Sequence, residues 1–174
     1  SYTYPTGQIL PWGRWTGSTQ IVASSGATLA SVPVLFGMAS GLTQNSTLPT
    51  SGIATYTYVG GPSPVDAGGN VGTITSNSLQ LNFTAQSAAF SMGVNFAGLG
   101  AAFSVSGTAV KTNATYGGEF TGTLSGSCTG ACSSIATGKF AVGTDGANAE
   151  LAVVGGGFSG TTAGAVIFLN AYKR

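Results

Sequence analysis

Few residues of this chain have the type and spacing to support chemistry, and its only two cysteines, Cys128 and Cys132, are the first candidates. A zinc site commonly needs four Cys, His or carboxylate ligands, so this C-x3-C pair is short of ligands in a chain without histidine. A thioredoxin-like redox site places C-x-x-C at the start of a helix, and neither condition is met. We therefore expect the two cysteines to form a disulfide in an oxidising compartment.

The four carboxylates are spread along the chain, and each has a simple structural explanation. Asp66 and Asp145 lie in the sequences VDAGGN and GTDGAN, which are typical of turns, whereas calcium prefers several carboxylates in one loop. Glu119 and Glu150 could act as a glycosidase pair, but we interpret them as solvated surface charges. Serine has no histidine to act as its base. We expect no metal, no cofactor and no catalysis.

The composition of the chain excludes several classes of partner. Only 5% of the 174 residues are charged and the net charge is +1, whereas roughly 25% is ordinary. Binding of nucleic acid needs a clustered basic patch, so we expect none. No run of roughly 18 apolar residues is present, which predicts no membrane-spanning segment. A neutral surface of Ser, Thr, Asn and Gly carries little repulsion between copies and permits dense self-association.

Strand signals dominate the sequence. Phe90, Met92, Val94 and Phe96 alternate with polar or small residues, which is typical of a half-buried strand in an antiparallel sheet. Clusters of Gly, Pro, Asn and Asp separate such segments. Residues 20–32 are the one place that tolerates a helical turn. We predict strands near residues 12–17, 32–38, 53–60, 71–84, 87–97, 100–111, 115–126, 134–142, 149–158 and 162–172.

These strands predict an all-β, single-domain fold: an antiparallel up-and-down β-barrel of about eight strands with an N-terminal arm. Closure into a barrel removes the exposed edges of a meander. Residues 1–50 form the less regular arm and residues 51–174 the barrel. The last strand is apolar on both faces, so we expect the arm to cover its outer face. The residues that we assign to this contact are Trp12, Trp15, Val34, Phe36, Val166 and Phe168.

The predicted strands at 115–126 and 134–142 also place the two cysteines at the tip of a hairpin. Cys128 and Cys132 would flank a three-residue hairpin tip, residues 129–131. Facing residues of an antiparallel ladder lie about 4.5–5.5 Å apart at Cα, and a disulfide can bridge that distance. Because the closed loop is so short, we expect the bond to stabilise the fold by only about 1–2 kcal/mol.

Several stretches together resemble a known family. They are WGRWTG at 12–17, LPTSGIATYTYVGGPSP at 48–64, LQLNF at 79–83 and YGGEFTGTLSGSCTGACSSIATGKFAVG at 116–143. These segments resemble the C-terminal β-barrel of some bacterial FecR-domain proteins, which is itself similar to the lipoprotein barrels of the transferrin-binding protein B type. The resemblance implies an eight-stranded barrel, a bacterial extracytoplasmic setting and a role in contact. It assigns no functional residue.

Two functions from different classes remain. The first is a non-catalytic secreted or surface-exposed structural protein, a filament or matrix subunit that self-assembles through its N-terminal arm with copies of itself. The alternative is a binding module for a small apolar ligand, haem or another surface protein. An eight-stranded barrel can hold one small ligand, but we expect the interior to be filled by Phe90, Phe96, Phe103, Phe120 and Phe140.

Overall fold

The computed structural model describes residues 2–3, 9–15, 20–22, 28–31, 34–37, 48–112, 118–131, 136–145, 148–160 and 164–174. The short N-terminal strands are β1 (Tyr2–Thr3), β2 (Ile9–Leu10), β3 (Trp12–Trp15), β4 (Gln20–Val22), β5 (Thr28–Ser31) and β6 (Val34–Gly37). The later strands are β7 (Ile53–Gly60), β8 (Val65–Asp66), β9 (Thr73–Asn82), β10 (Ser87–Phe96), β11 (Ala101–Lys111), β12 (Glu119–Gly130), β13 (Ala136–Asp145), β14 (Leu151–Gly160) and β15 (Gly164–Lys173).

Eight of these strands form a closed antiparallel barrel. The order around the barrel is β7, β9, β10, β11, β12, β13, β14 and β15, and β15 pairs again with β7. The two-residue strand β8 pairs with β15 outside this ring. The predicted all-β fold with eight antiparallel strands is therefore confirmed, and each of the eight predicted barrel segments from residue 53 onward overlaps an observed strand.

Alternation along the strands places apolar side chains inside the barrel. In β10 every second residue from Ala88 to Phe96 is buried, as expected for a strand with one face on the core. Aromatic rings fill much of the interior: Phe90 stacks on Phe168 with centroids 5.4 Å apart and lies 5.3 Å from Phe140. The phenylalanines of the buried core, all at most 3% exposed, are Phe83, Phe90, Phe96, Phe103, Phe120, Phe140, Phe158 and Phe168.

The ring closes through two different parts of β7. Its first half, Ile53–Tyr56, pairs with β9, whereas Thr57, Tyr58 and Gly60 pair with β15. No ladder joins the second half of β7 to the first half of β9 in this part of the chain, which the structure describes without a gap. Further along, Val65 of β8 forms an isolated bridge with Val71.

The N-terminal strands form small separate sheets, in which β1 pairs with β2, β3 with β6 and β4 with β5. The described residues of the stretch 20–32, where a helical turn was tolerable, are in strands β4 and β5. The one helical element within the described ranges is a 3-10 turn, Ala97–Leu99. None of the described residues belongs to a helix long and apolar enough to cross a membrane.

Candidate functional site

An apolar strip lies on the outer surface where β7, β14 and β15 meet. Leu151 and Ala171 are buried there, and Trp12, Val59 and Val153 pack against them. The strip exists because β14 and β15 carry apolar residues at outward positions as well as at inward ones. Trp12 of the N-terminal segment is thus in direct contact with the wall of the barrel.

Gly60 makes room for the indole ring of Trp12. A Cβ at position 60 would lie 2.7 Å from Cζ2 of that ring, and the φ angle of Gly60 is +144°. Both observations favour glycine, because an L side chain rarely adopts this conformation and would collide with the ring. The barrel wall is therefore shaped to the tryptophan at this position.

The other residues assigned to the arm contact have different positions. Trp15, Val34 and Phe36 lie in the paired strands β3 and β6, and β6 contacts β15, but their side chains are outside the described part of the chain. Val166 and Phe168 point into the barrel and are 0% and 2% exposed.

The residues of β15 that face the outer surface alternate with Val166 and Phe168. Ile167 and Leu169 are half-buried and Ala171 is buried, so a segment on the outer surface meets these side chains and not Val166 or Phe168. The sequence contained this signal, because Ile167 and Leu169 form the second apolar face of the strand.

Of the two cysteines, Cys128 lies within the described residues. Strand β12 continues to Gly130, and Cys128 pairs with Phe103 of β11, half-buried against the core. The last described pair of the β12–β13 ladder is Gly126 with Ala136. Cys132 and the three residues after it lie outside the described residues, so the disulfide and its hairpin-tip geometry remain predictions.

The carboxylates act locally rather than as a cluster. The Asp66 carboxylate accepts hydrogen bonds from the backbone N–H of Asn70 at 2.7 Å and from its side-chain amide at 2.8 Å, which closes a turn. Asp145 is buried at the end of β13. Among the described residues, no group of three or more His, Cys, Asp and Glu side chains could hold a metal ion.

Charge is concentrated at one end of the barrel. Six of the nine charged residues lie at the end where β9 turns into β10 and β13 leads into β14, and they are Lys111, Glu119, Asp145, Glu150, Lys173 and Arg174. The outer wall of β9–β12 instead presents small hydroxyl residues, and the Ser78 and Ser91 hydroxyls are 2.8 Å apart. The middle of this wall is therefore neutral.

A cluster of polar side chains lies inside the barrel, and it was not predicted from the sequence. Asn170 is fully buried, and its side-chain amide nitrogen lies 3.3 Å from the Met92 sulfur. The Tyr172 hydroxyl donates a hydrogen bond to the side-chain oxygen of Asn77, and the Tyr172 ring packs edge-on against Tyr58 at 5.8 Å. Burial raises the pKa of Tyr172, and side-chain hydrogen bonding with Asn170 and Asn77 opposes that rise.

No family model and no curated protein sequence matches the chain.

Proposed function

We propose that this protein is a non-catalytic, secreted or surface-exposed bacterial β-barrel that acts by protein–protein contact. In this proposal it is a self-assembling structural subunit, whose N-terminal segment packs on the barrel of a neighbouring copy. The observation that carries the proposal is the contact between Trp12 and the apolar strip on β7, β14 and β15. The same surface that receives the segment of its own chain can receive that of another copy.

The energetics of this contact favour an occupied strip. Full burial of a tryptophan removes roughly 200 Å² from water, so the half-buried Trp12 contributes about 2–3 kcal/mol at about 25 cal/mol per Å². Without the segment, Val59, Val153 and Ala171 would be exposed together. A contiguous apolar patch of this kind favours association.

The distribution of charge supports close packing between copies. Lys139 is the one charged residue on the outer wall between the two ends of the barrel, since all nine charged residues are within the described ranges. Like-charge repulsion opposes association, and a nearly neutral wall lacks this opposition. The charged end of the barrel keeps the subunit hydrated.

The extracytoplasmic setting depends on two further arguments. The resemblance to the barrels of FecR-domain proteins and transferrin-binding protein B implies it, and a disulfide between Cys128 and Cys132 would require an oxidising compartment. Among the described residues there is no free cysteine, which supports the disulfide. Thiol titration of the protein purified from its native compartment, under denaturing conditions, tests this; two free thiols would contradict it.

Light scattering after size exclusion and negative-stain microscopy at neutral pH test the assembly. We expect concentration-dependent oligomers or filaments of the wild type, and their loss in Trp12→Ala. Val110→Ala, which removes a 66% exposed apolar side chain from another part of the wall, should assemble like the wild type. A monomeric wild type at all concentrations would overturn the proposal. A lipid or chromophore retained in native mass spectrometry would favour a binding module instead.

A further inference from the structure

Besides the Thr144 hydroxyl, two buried side-chain polar atoms have no hydrogen-bond partner among the described residues. They are the side-chain nitrogen of Asn77 and the side-chain oxygen of Asn170. A buried amide group that lacks a partner destabilises the folded state, and most buried polar groups in folded proteins are paired with protein or with ordered water. One of these atoms is a donor and the other is an acceptor, so a single group can satisfy both.

Tyr172 and Met92 bring the two amides together. The Tyr172 hydroxyl donates a hydrogen bond to the Asn77 oxygen. The Asn170 amide nitrogen lies 3.3 Å from the sulfur of Met92, which is the direct cross-strand partner of Asn77. The two amides therefore line the same interior region, and one bridging oxygen is the simplest group that pairs both of their free atoms.

The two amides lie near a part of the barrel wall where backbone pairing is incomplete. Asn77 lies in the part of β9 that is not paired with β7, because the ladder between these two strands ends at the pair Tyr56 and Leu79. Asn170 lies in β15, which pairs with the other half of β7 from Ala171 onward. Asn77 therefore lies beside a part of the wall in which β7 and β9 have no backbone ladder, and Asn170 lies on the strand that pairs with the other half of β7.

We propose that Asn77, Asn170 and Tyr172 form a buried binding site for one hydroxyl oxygen, occupied by a single ordered water molecule. The water accepts a hydrogen bond from the Asn77 amide nitrogen and donates one to the Asn170 oxygen. It links β9 to β15 through side-chain hydrogen bonds, beside the part of β9 that has no ladder with β7. A buried water typically makes about three hydrogen bonds, and the third partner in this proposal is the Tyr172 hydroxyl, which is bonded to Asn77.

Crystals of the wild type, grown with and without small alcohols, provide the direct test. We expect density for one isolated oxygen between the two amides in both conditions. Density only in crystals grown with alcohol would show a site for an alcohol hydroxyl and would overturn the water assignment. Absence of density in both conditions would overturn the site itself.

Oxygen-17 relaxation dispersion of the solvent tests the site in solution. We expect one long-lived water fewer per molecule in Asn170→Leu than in the wild type. The matched control is Asn95→Leu, because Asn95 lies at an exposed position of β10, and it should keep the wild-type number. An unchanged number in a folded Asn170→Leu variant would contradict the proposal, and the wild-type crystals decide the matter if that variant does not fold.

Discussion

Replacement of Phe168 by alanine separates two roles for the last strand. The side chain is 2% exposed, stacks on Phe90 and lies 6.4 Å from Phe158 between ring centroids. If Phe168 is part of the core, Phe168→Ala leaves a cavity and destabilises the barrel. If it contacted the N-terminal segment on the outer surface, the variant would change assembly and leave stability nearly unchanged.

The expected loss of stability in Phe168→Ala follows from the burial of the phenylalanine side chain. Truncation of a fully buried phenylalanine to alanine costs about 3–5 kcal/mol, through lost transfer energy and the cavity left behind. For a domain of this size each kcal/mol lowers the melting temperature by roughly 2–4 °C, so we expect a fall of about 6–20 °C. The loss is a large part of the roughly 5–15 kcal/mol by which native domains are stable.

Urea unfolding followed by tyrosine and tryptophan fluorescence, together with calorimetry, measures this change. Val110→Ala is the control, since surface truncations alter the free energy of unfolding by no more than about 0.5 kcal/mol. A loss below about 1 kcal/mol in Phe168→Ala would refute the interior placement of this residue. Unchanged oligomers in a folded Phe168→Ala variant are expected as well.

Two further predictions concern the close packing of the strands and their response to pH. We expect Gly107→Ala to cost about 1–3 kcal/mol, because a Cβ at this position would lie 2.0 Å from the backbone oxygen of Thr123; Gly98→Ala, which meets nothing within 4 Å, should leave the urea midpoint unchanged or slightly higher. Burial raises the pKa of Tyr56 from 10.0 to about 12, against a lowering effect of Arg174. The folded state then holds its phenolic proton longer than the unfolded chain, so stability is retained below pH 10 and falls as pH rises towards 12. Urea midpoints between pH 8 and 11 should fall less in Tyr56→Phe than in the wild type, and equal slopes would contradict this assignment.

The strands of the barrel could be predicted because the alternation of apolar and polar residues is visible within each strand by itself. Alternation in stretches such as 90–96 identifies a strand without reference to its partners, and turn residues mark its ends. Strand β8 was missed because it has only two residues, Val65 and Asp66, and depends on its pairing with β15. The extension of β12 to Gly130 likewise follows from pairing with β11.

The positions of individual side chains were harder to predict where both faces of a strand are apolar. Alternation showed that Val166 and Phe168 share a face, but not that this face is the interior one. That choice is made by the neighbouring strands, whose rings at Phe90 and Phe158 meet Phe168. Asn170 lies on the same face of the strand as Phe168, so its inward position could not be predicted either, and Asn77 lies on a strand far away in the sequence.

The topology of the ring bears directly on the proposed assembly. Exchange of a segment between copies requires that the rest of the molecule stays folded when the segment leaves. The eight-stranded ring closes through the pairing of β15 with β7 and β14, and none of β1–β6 takes part in it. Departure of the segment that carries Trp12 would therefore break no ladder of the described barrel and would expose the apolar strip. A folded barrel with an exposed strip is the state that a second copy can bind.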